Sequence, residues 1–120
     1  MRVFKTKAFQ RWFNKQLLTN EDLLNAISEI EVGLVDANLG SFLYKKRIAI
    51  KGRGKRGSVR TLLALKRKDK AFFLYGFEKN QKDNLTINEA KAYKLIAKTL
   101  IRFTDRELEE RMHDNSLIEI

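Results

Sequence analysis

Apolar residues recur along this chain with two different periods, and the alternation between them limits the fold more than any other feature of the sequence. Strand-like segments are rich in aromatic and branched residues and in places alternate apolar with basic side chains. They are residues 2–6, 42–50, 59–65 and 70–77. Helix-like segments carry apolar residues every three or four positions instead. They are residues 8–17, 23–34 and 87–101.

Threonines mark three predicted helix starts, because each is followed three positions later by an acidic residue that can complete a capping box. The pairs are Thr19 with Asp22, Thr86 with Glu89, and Thr104 with Glu107. The predicted order is β-α-α-β-β-β-α, with a short extra helix after Thr104. This order indicates an α+β fold in which an N-terminal α-hairpin and a C-terminal helix cover a small antiparallel sheet.

Composition excludes several kinds of chemistry. The 120 residues contain no cysteine and one histidine, so thiol catalysis, disulfides and a histidine-based metal site are largely ruled out.

A chain of this length is expected to form one compact domain. Its longest apolar runs are far below membrane-spanning length, and the charged N-terminus lacks the apolar core of a secretion signal. We therefore expect a soluble, cytoplasmic protein with no membrane partner.

Positive charge is concentrated in two segments. The formal net charge is +10, and residues 2–15 contain five basic residues and no acidic one, while residues 45–60 contain eight and none. After Thr104 the balance reverses, with acidic side chains at 105, 107, 109, 110, 114 and 119. The basic segments predict a polyanionic partner. The acidic end could lie against the basic body or stay free, and the sequence leaves both open.

Three glycines, Gly52, Gly54 and Gly57, lie among lysines and arginines in the second basic segment. Their spacing matches G-x-G-x-x-G, but a dinucleotide-binding loop needs a helix after it, and here a strand is predicted. The Walker pattern also fails, because Ser58 and Val59 follow Gly57. The remaining interpretation of this segment is a basic hairpin tip, in which glycine lets the backbone approach a ligand and the cations bind phosphates. The alternative is an ordinary solvated turn that binds no ligand.

The segments "KKRIAIKGRGKRGSVR" and "FFLYGFEKN" resemble the RelE/ParE superfamily of bacterial toxins, and most nearly its HigB-type branch. The resemblance runs from the first predicted strand to the last long helix. It implies a RelE-like toxin domain at residues 1–103, with residues 104–120 as an acidic extension. It also implies a ribosome-dependent mRNA endonuclease that uses the RNA 2′-hydroxyl as nucleophile and needs no metal or cofactor.

Site residues follow from the same resemblance. Arg60 matches the family's sheet arginine that stabilises the scissile phosphate, and Lys79 stands where relatives have an arginine after the last strand. Arg47 and Lys51 are expected on one strand face with Ala49. The RNA-binding residues are predicted to be Lys45, Lys51, Arg53, Lys55 and Arg56, with Lys51 or Lys55 as the possible base. The alternatives are that Arg60 pairs with a carboxylate and that Lys79 is an ordinary surface lysine.

The resemblance implies three partners, namely the ribosome, mRNA and a cognate antitoxin with a helix-turn-helix domain. The toxin would contact operator DNA only through this antitoxin. Two other functions stay open at this point. A ParE-like member would inhibit DNA gyrase by protein contact and would not need Arg60 or Lys79. A binding module without catalysis would hold RNA and leave it uncut.

Overall fold

Residues 1–50, 57–78 and 84–120 are described by a computed structural model, and in them the chain forms six strands and four helices. In chain order these are β1 (Arg2–Thr6), α1 (Lys7–Phe13), α2 (Asn20–Glu31), β2 (Ala37–Gly40), β3 (Leu43–Ala49), β4 (Ser58–Lys66), β5 (Lys70–Phe77), α3 (Ile87–Ile101), α4 (Asp105–His113) and β6 (Leu117–Glu119). The predicted α+β class is confirmed.

The strands form one sheet in the order β2-β3-β4-β5-β1-β6. Pairing is antiparallel except between β1 and β5, which run parallel with Arg2 opposite Lys70 and Lys5 opposite Phe73. The sheet is therefore mixed, whereas an antiparallel one was predicted. Two strands were also missed, since β2 has four residues and β6 has three, too few to show a period. The parallel pair joins strands more than 60 positions apart, and no local pattern predicts such a partner.

Each face of the sheet has its own hydrophobic core. Helices α1 and α2 cover the first face, where Phe9 of α1 packs against Phe73 of β5 with ring centroids 5.3 Å apart. Helices α3 and α4 cover the second face, where Phe4 of β1 stacks on Phe72 at 5.1 Å. Phe72 and Phe73 point to opposite faces because side chains alternate along a strand. A strand residue whose chain neighbours are buried in one core can therefore be assigned to the opposite face of the sheet.

The helices begin as predicted. Both reciprocal hydrogen bonds of the capping box are present at Thr19, Thr86 and Thr104. Helix α1 is shorter than predicted, because it ends at Phe13 and leaves Leu17 exposed beyond it. Helix α2 ends before Gly33, whose φ of +94° lies in the region that favours glycine. None of the helices in the described ranges is long and apolar enough to cross a membrane.

The acidic end of the chain lies against the body of the molecule. Strand β6 pairs antiparallel with β1, and Leu117 is buried beside Leu108 of α4 in the second core. Arg2 contacts three carboxylates, with Nε 2.9 Å from Glu119 Oε2 and its terminal nitrogens 3.4 Å from Asp105 and from Glu109. The sequence left open whether this end is free or lies against the basic body. The ion pairs of Arg2 and the pairing of β6 with β1 show that it lies against the body. The division between residues 103 and 104 stays a prediction.

Candidate nucleic-acid interface

Two arginines face each other across the β3–β4 hairpin. The antiparallel register places Arg47 directly opposite Arg60. Their chain neighbours Ile48 and Val59 are buried in the first core, so both arginine side chains belong to the second face of the sheet. Arg47 is exposed and Arg60 is partly buried. The predicted alternation holds, since Arg47 and Ala49 are both exposed between buried neighbours.

Neither arginine has a carboxylate partner within the described ranges. Opposed residues of antiparallel strands have Cβ atoms about 5 Å apart, and like charges there are destabilising by up to about 1 kcal/mol. A bound anion would remove that repulsion. The alternative in which Arg60 pairs with a carboxylate is therefore not seen in this part of the chain, where neither Arg47 nor Arg60 has an ion-pair partner.

Lysines 45 and 46 have different roles although they are adjacent. Lys46 points to the first face and is buried, with Nζ 2.9 Å from Glu29 Oε1 and from the Leu34 carbonyl oxygen. Lys45 points to the second face, where its Nζ donates to Asn84 Oδ1 at 3.3 Å. Lys45 therefore shares a face with Arg47. Its hydrogen bond ties the strand to the segment that leads into α3.

Aromatic rings border the two arginines. Phe77 of β5 lies opposite Arg60, and Tyr75 lies opposite Leu62, the next residue of β4 on that face. Tyr75 stacks on Phe77 with centroids 5.5 Å apart and on Tyr93 of α3 at 5.6 Å. Burial, helped by Tyr75 and Glu89, raises the pKa of Tyr93 above its usual value, so its hydroxyl stays protonated at neutral pH. Arginines can bind the phosphate of a nucleotide and tyrosines can stack on its base, so the two kinds of side chain together suit a nucleotide.

Sequence reasoning missed this aromatic group as a unit. The periodicity of the sequence places Tyr93 in the predicted helix 87–101 and Tyr75 in the predicted strand 70–77. Nothing in the sequence pairs the two, because the docking of α3 across β4 and β5 decides which rings meet. The only available signal was the apolar spacing of α3, and that predicts burial without naming a neighbour.

The match to known families settles the kind of protein. All of residues 1–120 match the family model described as RelE toxin of the RelE / RelB toxin-antitoxin system. The chain belongs to the RelE toxin family. A comparison with curated proteins found no match. The predicted resemblance is confirmed at the level of the superfamily, while the HigB-type branch stays a prediction.

As a RelE-family toxin, the protein is one half of a toxin-antitoxin system, and membership implies a cognate antitoxin. Five predicted site residues lie outside the described ranges. Four of them fall in residues 51–56, namely Lys51, Arg53, Lys55 and Arg56, and Lys79 falls in residues 79–83. The described residues at the ends of the first segment, Ile50 and Gly57, are joined by a backbone hydrogen bond. That bond lies just beyond the last β3–β4 pair, Ala49 with Ser58, at the same end of the hairpin as Arg47 and Arg60.

The histidine of the toxin lies elsewhere. His113 is exposed on α4, which packs against β6, and β6 is separated from β4 by β5 and β1 in the sheet. Imidazole chemistry therefore does not reach the arginine pair. The described part of the second face offers cations and tyrosines, which can bind a phosphate, hold negative charge as it develops, and stack on bases.

Proposed function

We propose that this toxin is an endoribonuclease that cleaves messenger RNA on the ribosome. The observation that carries the proposal is the cross-strand pair of Arg47 and Arg60, which lacks a carboxylate partner among the described residues and lies beside an aromatic border. Membership of the RelE family supports the same reading, because metal-independent cleavage of translated message is the activity that the resemblance implies.

In the proposed reaction the 2′-hydroxyl oxygen attacks the adjacent phosphorus, and the bond from phosphorus to the 5′-oxygen breaks. The proton of the 2′-hydroxyl passes to a base, for which Lys51 or Lys55 is proposed, and an acid returns a proton to the departing 5′-oxygen. The products are a 2′,3′-cyclic phosphate and a free 5′-hydroxyl. Negative charge on the phosphorane grows during this step, and Arg60 is proposed to hold it together with Arg47.

Other residues are proposed to bind the message without taking part in the chemistry. Lys45, held by Asn84, extends the cationic face along β3. Arg53, Lys55 and Arg56 would contact the RNA backbone, and Lys79 would neutralise charge from the opposite side of the phosphate. An acidic or helical segment of the antitoxin, proposed to be a protein with a helix-turn-helix domain, would cover the face from Lys45 to Arg60 or displace the last helix. The toxin would then meet operator DNA only through that partner.

The test is to map messenger RNA 5′ ends after a brief pulse of expression without the antitoxin. Wild type is expected to produce new ends within translated regions, whereas Arg60→Ala should lower their number by about 100-fold or more, the usual effect of losing one charge-stabilising group. Lys66→Ala is the matched control, because Lys66 is an exposed cation at the other end of the same strand. It should cleave as wild type does.

The opposite result is equally informative. Growth arrest with intact message, and equal toxicity of Arg60→Ala, would overturn RNA cleavage and direct the next assay to DNA gyrase. RNA binding that survives without any cleavage in wild type would instead identify a binding module.

A further inference from the structure

Helix α3 carries apolar side chains on the side that faces solvent as well as on the side that faces the sheet. Its inner side lies in the second core, where the buried residues of the helix are Ala97, Leu100 and Ile101. On the outer side, Ile87 and Leu95 are 77% and 67% exposed. A surface helix normally keeps its outer side polar, and exposed apolar groups that lie together mark interaction sites. The outer side of α3 is therefore a candidate interaction surface.

Four of the exposed residues form a continuous row, which we call the α3 outer stripe. It consists of Ala92, Leu95, Ile96 and Thr99. Their spacing of three and four positions places them on one side of the helix. The hydroxyl group of Thr99 already has a partner, because it donates to the Leu95 carbonyl oxygen at 2.9 Å. The outer stripe therefore offers mainly aliphatic groups to a ligand.

Cations border the outer stripe along one flank. This basic row consists of Lys91, Lys98 and Arg102. Intervals of seven and four positions align them along the helix, beside the stripe. All three are exposed, and none forms an ion pair or side-chain hydrogen bond in the part of the chain that the structure describes. The one acidic residue of α3, Glu89, lies in its first turn, where it accepts from the Thr86 backbone amide.

The outer stripe continues into a groove between α3 and α4. The groove has a volume of about 360 Å³ and is lined by Leu95, Lys98, Thr99, Arg102, Phe103 and Glu107. Glu107 is its acidic member, and the carboxylate accepts from the Thr104 backbone amide at 3.0 Å as part of the capping box. The groove therefore combines a leucine and a phenylalanine with two cations.

This combination of apolar and basic side chains distinguishes between partners. A nucleic-acid backbone would bind the cations but would leave Leu95 and Ile87 exposed to water. A second copy of the same surface would bring two basic rows close together, and like charges oppose such a two-fold contact. An acidic amphipathic helix meets both requirements, because its aliphatic side chains cover the stripe while its carboxylates pair with the basic row.

We propose that the outer side of α3 binds an acidic amphipathic helix of the cognate antitoxin. Membership of the RelE family supplies the partner, and the inference goes beyond the proposed RNA cleavage. Tyr93 lies on the inner side of α3, where it stacks on Tyr75. A helix bound on the outer side therefore contacts a different surface from the face of Arg47 and Arg60, and α3 stays on the sheet.

The first experiment measures the binding of a synthetic peptide by fluorescence anisotropy. The acidic peptide has about 18 residues, enough for a helix, with leucines spaced three and four positions apart and glutamates beside them. The comparison peptide has lysine in place of every glutamate. Wild-type toxin should bind the acidic peptide at least about tenfold more tightly than the lysine peptide. Equal binding of the two peptides, or no binding of the acidic one, would overturn the inference.

Two toxin variants test the two parts of the surface. Leu95→Gln changes the centre of the outer stripe, and the α3 triple combines Lys91→Gln, Lys98→Gln and Arg102→Gln. Each should weaken binding of the acidic peptide by about tenfold. The matched controls are Leu17→Gln, at a leucine that is 64% exposed beyond α1, and the triple Lys7→Gln, Arg11→Gln and Lys15→Gln, at three exposed cations. Both controls should bind as wild type does, and thermal unfolding confirms that each variant is folded.

The same titration with the purified antitoxin identifies the occupant. Its affinity should fall by about tenfold for Leu95→Gln and for the α3 triple. Unchanged affinity in both would overturn the antitoxin as the occupant, and is also the result expected if the antitoxin displaces α3. An equal loss in the control triple would show an effect of net charge alone and would overturn the inference as well.

Arg60→Ala separates this inference from the proposed function. The variant should lose RNA cleavage and keep its affinity for the acidic peptide. If it loses the peptide too, the peptide binds at the face of Arg47 and Arg60, and the α3 site fails. If wild type leaves message intact while the α3 variants lose the peptide and the antitoxin, the proposed function fails and the α3 site stands.

Discussion

At the scale of single residues, the contact between Trp12 and Gly76 decides how α1 sits on the sheet. A Cβ atom added at Gly76 would overlap the six-membered ring of Trp12. Glycine is therefore required at this point of β5 because the indole occupies the space of a side chain, although glycine within a strand normally weakens it.

Gly76→Ala is expected to lower the free energy of unfolding by about 1 to 3 kcal/mol, the usual cost of overpacking a core. The measurement is urea unfolding of wild type, Gly76→Ala, Trp12→Leu and the double variant. Because leucine leaves room for the added methyl, the cost of Gly76→Ala should be clearly smaller in the Trp12→Leu background. Equal costs in both backgrounds would show that the overlap is not the cause.

At the scale of elements, cations in the β4–β5 turn and at the start of β5 bind carbonyl groups at or just beyond the C-terminal ends of two helices. Arg67 donates to the carbonyl oxygens of Ile30 and Glu31 at the end of α2, at 3.5 and 3.4 Å. Lys70 Nζ lies 2.8 Å from the Phe103 carbonyl oxygen, just beyond the end of α3. The last carbonyls of a helix lack partners and carry partial negative charge, so cations are favoured there.

Lys70→Met should lower the free energy of unfolding by about 1 kcal/mol, because a partly buried carbonyl loses its charged donor. Lys68→Met is the control. Lys68 is exposed in the same turn and forms no ion pair or side-chain hydrogen bond within the described ranges, so its change should stay within about 0.5 kcal/mol. Chemical denaturation measures both. Equal effects would argue for a general loss of charge in the turn.

At the scale of the whole molecule, Arg2 joins the two ends of the chain. Its hydrogen bonds to Glu119 connect β1 with β6, and its contacts with Asp105 and Glu109 connect the strand with α4. The Arg2 guanidinium, chiefly by its hydrogen bond, holds the pKa of the Glu119 carboxyl below its usual value of 4.5. The acidic end is therefore fastened to the sheet by charge as well as by backbone pairing.

The contribution of this pair should depend on pH. Because the pKa of Glu119 is lowered by folding, its stabilisation is present above about pH 4.5 and is lost as pH falls through the lowered value. Arg2→Met is expected to cost about 1 kcal/mol at pH 7, since the groups are partly exposed, and less at pH 2, where carboxylates are increasingly protonated. Unfolding of Arg2→Met and Glu119→Gln at both pH values tests this, and a cost that does not change with pH would contradict it.

The sequence alone determined the features that depend on neighbouring residues. The strands around Leu43–Ala49, Ser58–Lys66 and Lys70–Phe77 and the helix starts at Thr19, Thr86 and Thr104 follow from short-range periodicity and capping, which act within a few positions. The family resemblance was also carried by contiguous segments. Such features need no knowledge of how distant parts of the chain meet.

Tertiary structure decided which distant residues meet and which cations stay exposed. The sequence could not show that β1 pairs in parallel with β5, that Tyr93 stacks on Tyr75, or that Arg2 and Lys5 are occupied while Arg11 is exposed. Each outcome depends on contacts between segments far apart in the chain, where loop closure and burial compete over many arrangements. Charge in a sequence shows how many cations there are, and packing determines which of them can bind a ligand.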